Sequence, residues 1–83
     1  MANKQLSFTP QQMELASKLT PLQRKFIIEL IKPNTSKRQA YIAAGGKAKG
    51  EVSQDASAYR MFKNVQVRAF YDAMMETKTV NSI

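Results

Sequence analysis

Apolar residues recur along this chain at helical spacing. Leu22, Phe26, Ile27, Leu30 and Ile31 line one face of a helix expected over residues 21–31. Val67, Phe70, Tyr71 and Met74 repeat the pattern over residues 65–78. Ala58, Met61 and Phe62 mark the inward face of a helix over residues 53–63, leaving Ser53, Ser57 and Arg60 outward. Ala40, Ala43 and Ala44 give a small-faced helix over residues 37–44, and Met13 and Ala16 a short one over residues 10–18. No alternating strand pattern and no solenoid repeat occurs. The expectation is an all-α domain of about five short helices. Residues 1–18 form an N-terminal segment with the first helix, residues 19–78 the main domain, and residues 79–83 a tail without pattern.

The boundaries are punctuated. Thr9-Pro10-Gln11-Gln12 and Thr20-Pro21-Leu22-Gln23 each read as a hydroxyl N-cap, proline at the first helical position and glutamine at the third. Ser36-Lys37-Arg38-Gln39 has the same ends without the proline. In each the hydroxyl accepts from the third helical N–H, and the glutamine accepts from the cap's own N–H. Proline costs nothing there, because its missing N–H has no intrahelical partner. Lys32-Pro33 closes the second helix, Gly45-Gly46 supplies a left-handed C-terminal cap to the third, and Asn64 caps the fifth.

Composition removes most catalytic chemistry. The chain has neither cysteine nor histidine, so it lacks thiolate chemistry, the commonest metal ligand and the usual general base. Its six carboxylates are scattered, and the one close helical pair, Asp72 and Glu76, falls on a surface face. No enzyme, cofactor or metal site is expected. The longest apolar run, Phe26-Ile27-Ile28, is far short of a membrane span, so no membrane association is expected. The first five residues carry no signal-peptide core, which leaves the cytoplasm as the expected location.

Charge points to a partner. Thirteen basic residues against six acidic ones give +7, a bias that suits a polyanion. Between Glu29 and Glu51 lie Lys32, Lys37, Arg38, Lys47 and Lys49, with no acid among them. The helices at 37–44 and 53–63, joined across glycines, fit a helix-turn-helix, whose second helix enters the major groove of double-stranded DNA. Lys37, Arg38, Lys47 and Lys49 then lie near phosphates. Ser53 helps present backbone N–H groups at the helix start, and Gln54, Ser57 and Arg60 face base edges. The pattern alone serves equally well two packing helices with a solvated basic face.

Three ordered motifs separate these readings. Leu19-Thr20-Pro21-Leu22-Gln23-Arg24-Lys25-Phe26 resembles the opening of phage terminase small subunits, Leu-Thr-Pro-x-Gln before an aromatic. Asn34-Thr35-Ser36-Lys37-Arg38-Gln39-Ala40-Tyr41-Ile42-Ala43-Ala44-Gly45 resembles their asparagine followed by Gln-Ala-x-Ile-x-Ala-Gly. Arg60-Met61-Phe62-Lys63-Asn64-Val65-Gln66-Val67 resembles their Arg-Leu-Leu-Lys-Asn-Pro-x-Val. Gly46 stands where the family usually has tyrosine or another large residue, Val65 replaces the usual proline, and the connection over residues 47–52 is longer than usual.

The resemblance implies a domain that recognises viral DNA when packaging starts and hands it to a large ATPase–nuclease subunit. It also implies a ring-shaped homo-oligomer in a longer full-length protein, with this chain alone monomeric or weakly associated. The rival expectations are a helix-turn-helix transcriptional regulator, and a protein-interaction module using the apolar stripe of residues 65–78.

Overall fold

The computed structural model describes the backbone of residues 8–81 and the side chains of residues 8–76. Its elements are α1 (Pro10–Ser17), α2 (Pro21–Leu30), α3 (Lys37–Ala43), α4 (Glu51–Lys63) and α5 (Val65–Asn81), with no strand among the described residues. The N-terminal residues read for a signal peptide, and residues 82–83 of the expected tail, lie outside the described residues.

Local chemistry starts the first three helices. Thr9, Thr20 and Ser36 each accept from the third helical N–H, while Gln12, Gln23 and Gln39 each accept from the cap's N–H, all at 2.9–3.2 Å. Asn64 holds the start of α5, its Oδ1 accepting from the N–H groups of Gln66 and Val67. Between α2 and α3 the backbone turns through Asn34 at φ +59°, a left-handed conformation that asparagine tolerates better than other side-chain-bearing residues.

Two boundaries differ from expectation by more than one residue. The fourth helix begins at Glu51, not Ser53, because Gly50 (φ +85°) turns the chain and serves as its N-cap. Glu51 then occupies the first turn, where the helix dipole favours an acid. The connection is therefore shorter than expected. The fifth helix continues to Asn81, so Thr79, Val80 and Asn81 are helical and not an unpatterned tail. No glycine or proline stands there to stop the hydrogen-bond ladder.

Phe26, Ile27, Ala40, Ala58, Val67 and Phe70 are completely buried at the centre. Around them α3 packs against both α2 and α4, and α5 lies against α1, α2 and α4. Of the α5 stripe, Val67, Phe70 and Met74 are buried in these contacts and Tyr71 is half-buried. On α1 the buried residues are Ala16 and Gln12 (2% exposed), whereas Met13, expected inside with Ala16, is 57% exposed. Burying this amide is tolerable because Nε2 donates to the Ala73 carbonyl of α5 at 3.0 Å and Oε1 accepts from Thr9. Arg24 ties α1 to α2 by donating to the Ala16 and Leu19 carbonyls. With Phe8 edge-on against Phe70, these contacts build residues 8–18 into the same core.

The third helix also turns a different face inward. Ala40, Tyr41 and Ala44 are buried, and Ala43 is exposed. The helix ends in a Schellman pair, with Gly46 N–H donating to the Tyr41 carbonyl and Gly45 N–H, at φ +100°, to that of Ile42. Gly46 is needed for space: a methyl group there would overlap the Tyr41 ring. The Tyr41 ring occupies the volume that a larger residue at position 46 would need.

Gly46→Ala is therefore expected to destabilise the domain by about 1–3 kcal/mol, the range for overpacking. Thermal unfolding should show a midpoint lower by several degrees. In a Tyr41→Ala background the same substitution should cost much less, because the clash is gone.

Candidate nucleic-acid interface

The outer surface of α4 is defined by helical geometry. At about 100° per residue, Val52, Ser53, Ala56, Tyr59, Arg60 and Lys63 share one side, opposite the buried Ala58. All six are exposed. Arg60 and Ser53 therefore stand where the sequence pattern put them, although Ser53 is in the third helical position and not at the start.

Gln54 and Ser57 do not join this outward row. Gln54 is half-buried, and its Nε2 donates to the Ala48 carbonyl at 3.3 Å. The N–H of the same residue, Ala48, donates to the Tyr41 hydroxyl at 3.0 Å. Both polar backbone groups of Ala48 are thus fastened by side chains, one from each flanking helix. Ser57 faces the same hydroxyl. The Ala48 N–H draws the Tyr41 ionisation below its ordinary value; burial opposes this, and Ser57, the Lys47 backbone and the positive Arg60 add to it. Gln54 and Ser57 consequently hold the turn and are not aimed at a base edge.

Arg38 also has a structural partner. Its guanidinium meets Glu51 at 3.0 Å and Asp55 at 3.4 Å, one helical turn apart on α4. Arg38 thus holds both carboxylates of α4 on the flank facing α3 and offsets one of their two charges. Lys37 extends over the Phe62 ring, 4.7 Å from its centroid, with Arg68 at the same distance. Phe62 in turn packs edge-on against Tyr71 of α5. Lys37 therefore sits on the α5 side of α4, away from the outward row.

The remaining cations bracket that row. Lys47 and Lys49 lie exposed in the turn just before α4, and Arg60 and Lys63 are exposed near its end. None of the four makes an ion pair among the described residues. The Arg60 guanidinium has only a long contact to Ser57 Oγ, 3.4 Å, while Asp55 belongs to Arg38. Lys63 lies over the Tyr59 ring at 5.1 Å. Val52, Ala56, Tyr59 and Lys63 were not singled out from sequence, although their spacing from Ser53 and Arg60 on a 3.6-residue helix was a usable signal.

Compared with protein-family models, curated proteins and solved structures, the chain matches none of them. Among the described residues no cluster of acidic side chains is arranged to hold a metal ion, and no helix is long and apolar enough to cross a membrane.

Arg38→Gln is expected to lower stability by about 0.5–1 kcal/mol, since partly exposed ion pairs contribute little each and two carboxylates one turn apart would repel. Denaturant titrations at rising ionic strength should show this difference shrinking as salt screens the charges.

Proposed function

We propose that the outward side of α4, with the turn before it, is a surface for double-stranded DNA, and that the chain is the DNA-recognition domain of a phage terminase small subunit. The observation that carries the DNA reading is charge placement. Lys47, Lys49, Arg60 and Lys63 surround a row with no acidic residue, and Arg38 occupies the two carboxylates nearest to it. An α-helix of this kind fits the major groove, with the residues of its first half at the base edges. Here α3 is the preceding helix, and the Tyr41–Ala48–Gln54 fastening fixes the angle at which α4 leaves the turn.

The packaging role rests on the three ordered motifs, and some of their residues have local tasks that fit such a domain. Thr20 and Gln23 start α2, Asn34 turns the chain into α3, and Asn64 starts α5. A large terminase subunit is the proposed protein partner, and a ring of copies the proposed assembly of the full-length protein. Titration of the chain against its own packaging region and an unrelated duplex, together with pull-down of a large subunit encoded beside it, tests this role. Preference for an operator beside a promoter, with no large-subunit binding, would assign the same DNA surface to transcriptional control.

Duplex binding should be salt-sensitive. Contact with about four phosphates predicts that log affinity falls with log salt at a slope of roughly −4. A slope near zero would remove the nucleic-acid reading.

Arg60→Ala should leave the melting temperature nearly unchanged, as expected for an exposed side chain, while weakening DNA binding by about 1–3 kcal/mol. A guanine contact would flatten the preference at one base pair, and a phosphate contact would weaken all sequences alike. Lost stability with affinity intact per folded molecule would make Arg60 a structural residue.

A further inference from the structure

The outward row of α4 is not uniformly polar. Its first half carries Val52, which is 82% exposed, and Ala56, one turn later, with only Ser53 between them on that side. Cations stand before this apolar pair, at Lys47 and Lys49, and after it, at Arg60 and Lys63. Isolated exposed apolar residues are ordinary on a protein surface. A pair one turn apart, enclosed at both ends by cations that make no ion pair among the described residues, is more specific. Val65 is equally exposed but stands at the first residue of α5, outside the bracket.

We infer that Val52 and Ala56 contact the 5-methyl groups of pyrimidines, foremost thymine, in the major groove. The inference rests on the DNA-binding reading above and deepens it by naming what the first half of α4 recognises. The thymine methyl is the one apolar feature on the major-groove edges of the standard bases, and small apolar side chains are its usual contacts. The four-residue step from Val52 to Ala56 spans about 6 Å along the helix axis, close to two base-pair steps of about 3.4 Å. The small side chain of Ala56 lets the helix approach the groove floor, and the β-branched Val52 presents two methyl groups with one restricted torsion. Flanking cations reaching the two phosphate backbones would hold this row against the base edges.

The test uses synthetic duplexes that differ by one methyl per base. Affinity of the full chain is measured for alternating d(A-T) and for alternating d(A-U), which lacks only the thymine 5-methyl. A second pair, alternating d(I-C) and d(I-5-methyl-C), adds the same group to cytosine. Each buried methyl corresponds to a three- to fourfold change in affinity, so the d(A-T) duplex should bind roughly three- to tenfold more tightly than d(A-U). A gain confined to that pair assigns thymine; an equal gain in the cytosine pair assigns the methyl group of either base. Val52→Ser, at a position with little packing to lose, should narrow the difference between d(A-T) and d(A-U), and Val52→Ser combined with Ala56→Ser should remove it.

Equal affinity of the unmodified protein for d(A-T) and d(A-U) overturns the methyl contact while leaving DNA binding intact. A preference that survives unchanged in Val52→Ser and Ala56→Ser also overturns it, because the discrimination then arises elsewhere. Failure to bind any of the four duplexes removes the DNA reading itself.

Discussion

The Tyr41 ring lies against Gly46, and its hydroxyl accepts the Ala48 N–H. This contact sets the path of the chain between α3 and α4. A seven-residue helix offers little to hold its own C-terminus, and the following turn contains two exposed lysines and three glycines. Without a side chain to fasten it, such a segment would sample many conformations. Tyr41 supplies the fastening through its ring and its hydroxyl. Gln54 completes it from the other side by donating to the Ala48 carbonyl. The orientation of α4, and so of its outward row, depends on this buckle.

The same economy governs the polar residues around α4. Arg38, Gln54 and Ser57 have the chemistry to meet a nucleic acid, yet each is directed at the protein. Arg38 spans two carboxylates, Gln54 holds the turn, and Ser57 meets the tyrosine hydroxyl. Polar groups near a core find internal partners because leaving them unsatisfied is costly. The side chains left for an external partner are those on the far side of the helix: Val52, Ser53, Ala56, Tyr59, Arg60 and Lys63. Cations concentrate there and in the preceding turn, while the acids of α4 are held on the α3 flank.

The α1–α5 contact has a related logic. Gln12 is at once the third residue of a capping box and a bridge to the Ala73 carbonyl. One side chain thereby satisfies a helix start and joins the N-terminal segment to the long last helix. Arg24, whose guanidinium reaches the carbonyls that end α1, performs the reciprocal task at the other terminus. In a chain this small, few residues are spared for a single purpose.

By itself the sequence determined the helical class, three N-caps, the start of α5 at Asn64 and the apolar faces of α2 and α5. These depend on interactions within about four residues, which spacing reports directly. It also determined the excess of positive charge and the absence of histidine and cysteine. Tertiary structure decided which face of α3 turns inward, since Ala43 and Tyr41 compete for that place and only the space above Gly46 favours the ring. It decided that Gln12 and not Met13 enters the core, because the partner carbonyl of Ala73 comes from 61 residues away. It decided, too, which polar residues of α4 remain outward. Gln54 and Ser57 carry the same groups whether they face bases or the turn, and Arg38 the same charge whether it faces phosphate or Glu51. Those choices are made by neighbours distant in sequence, and no local pattern records them.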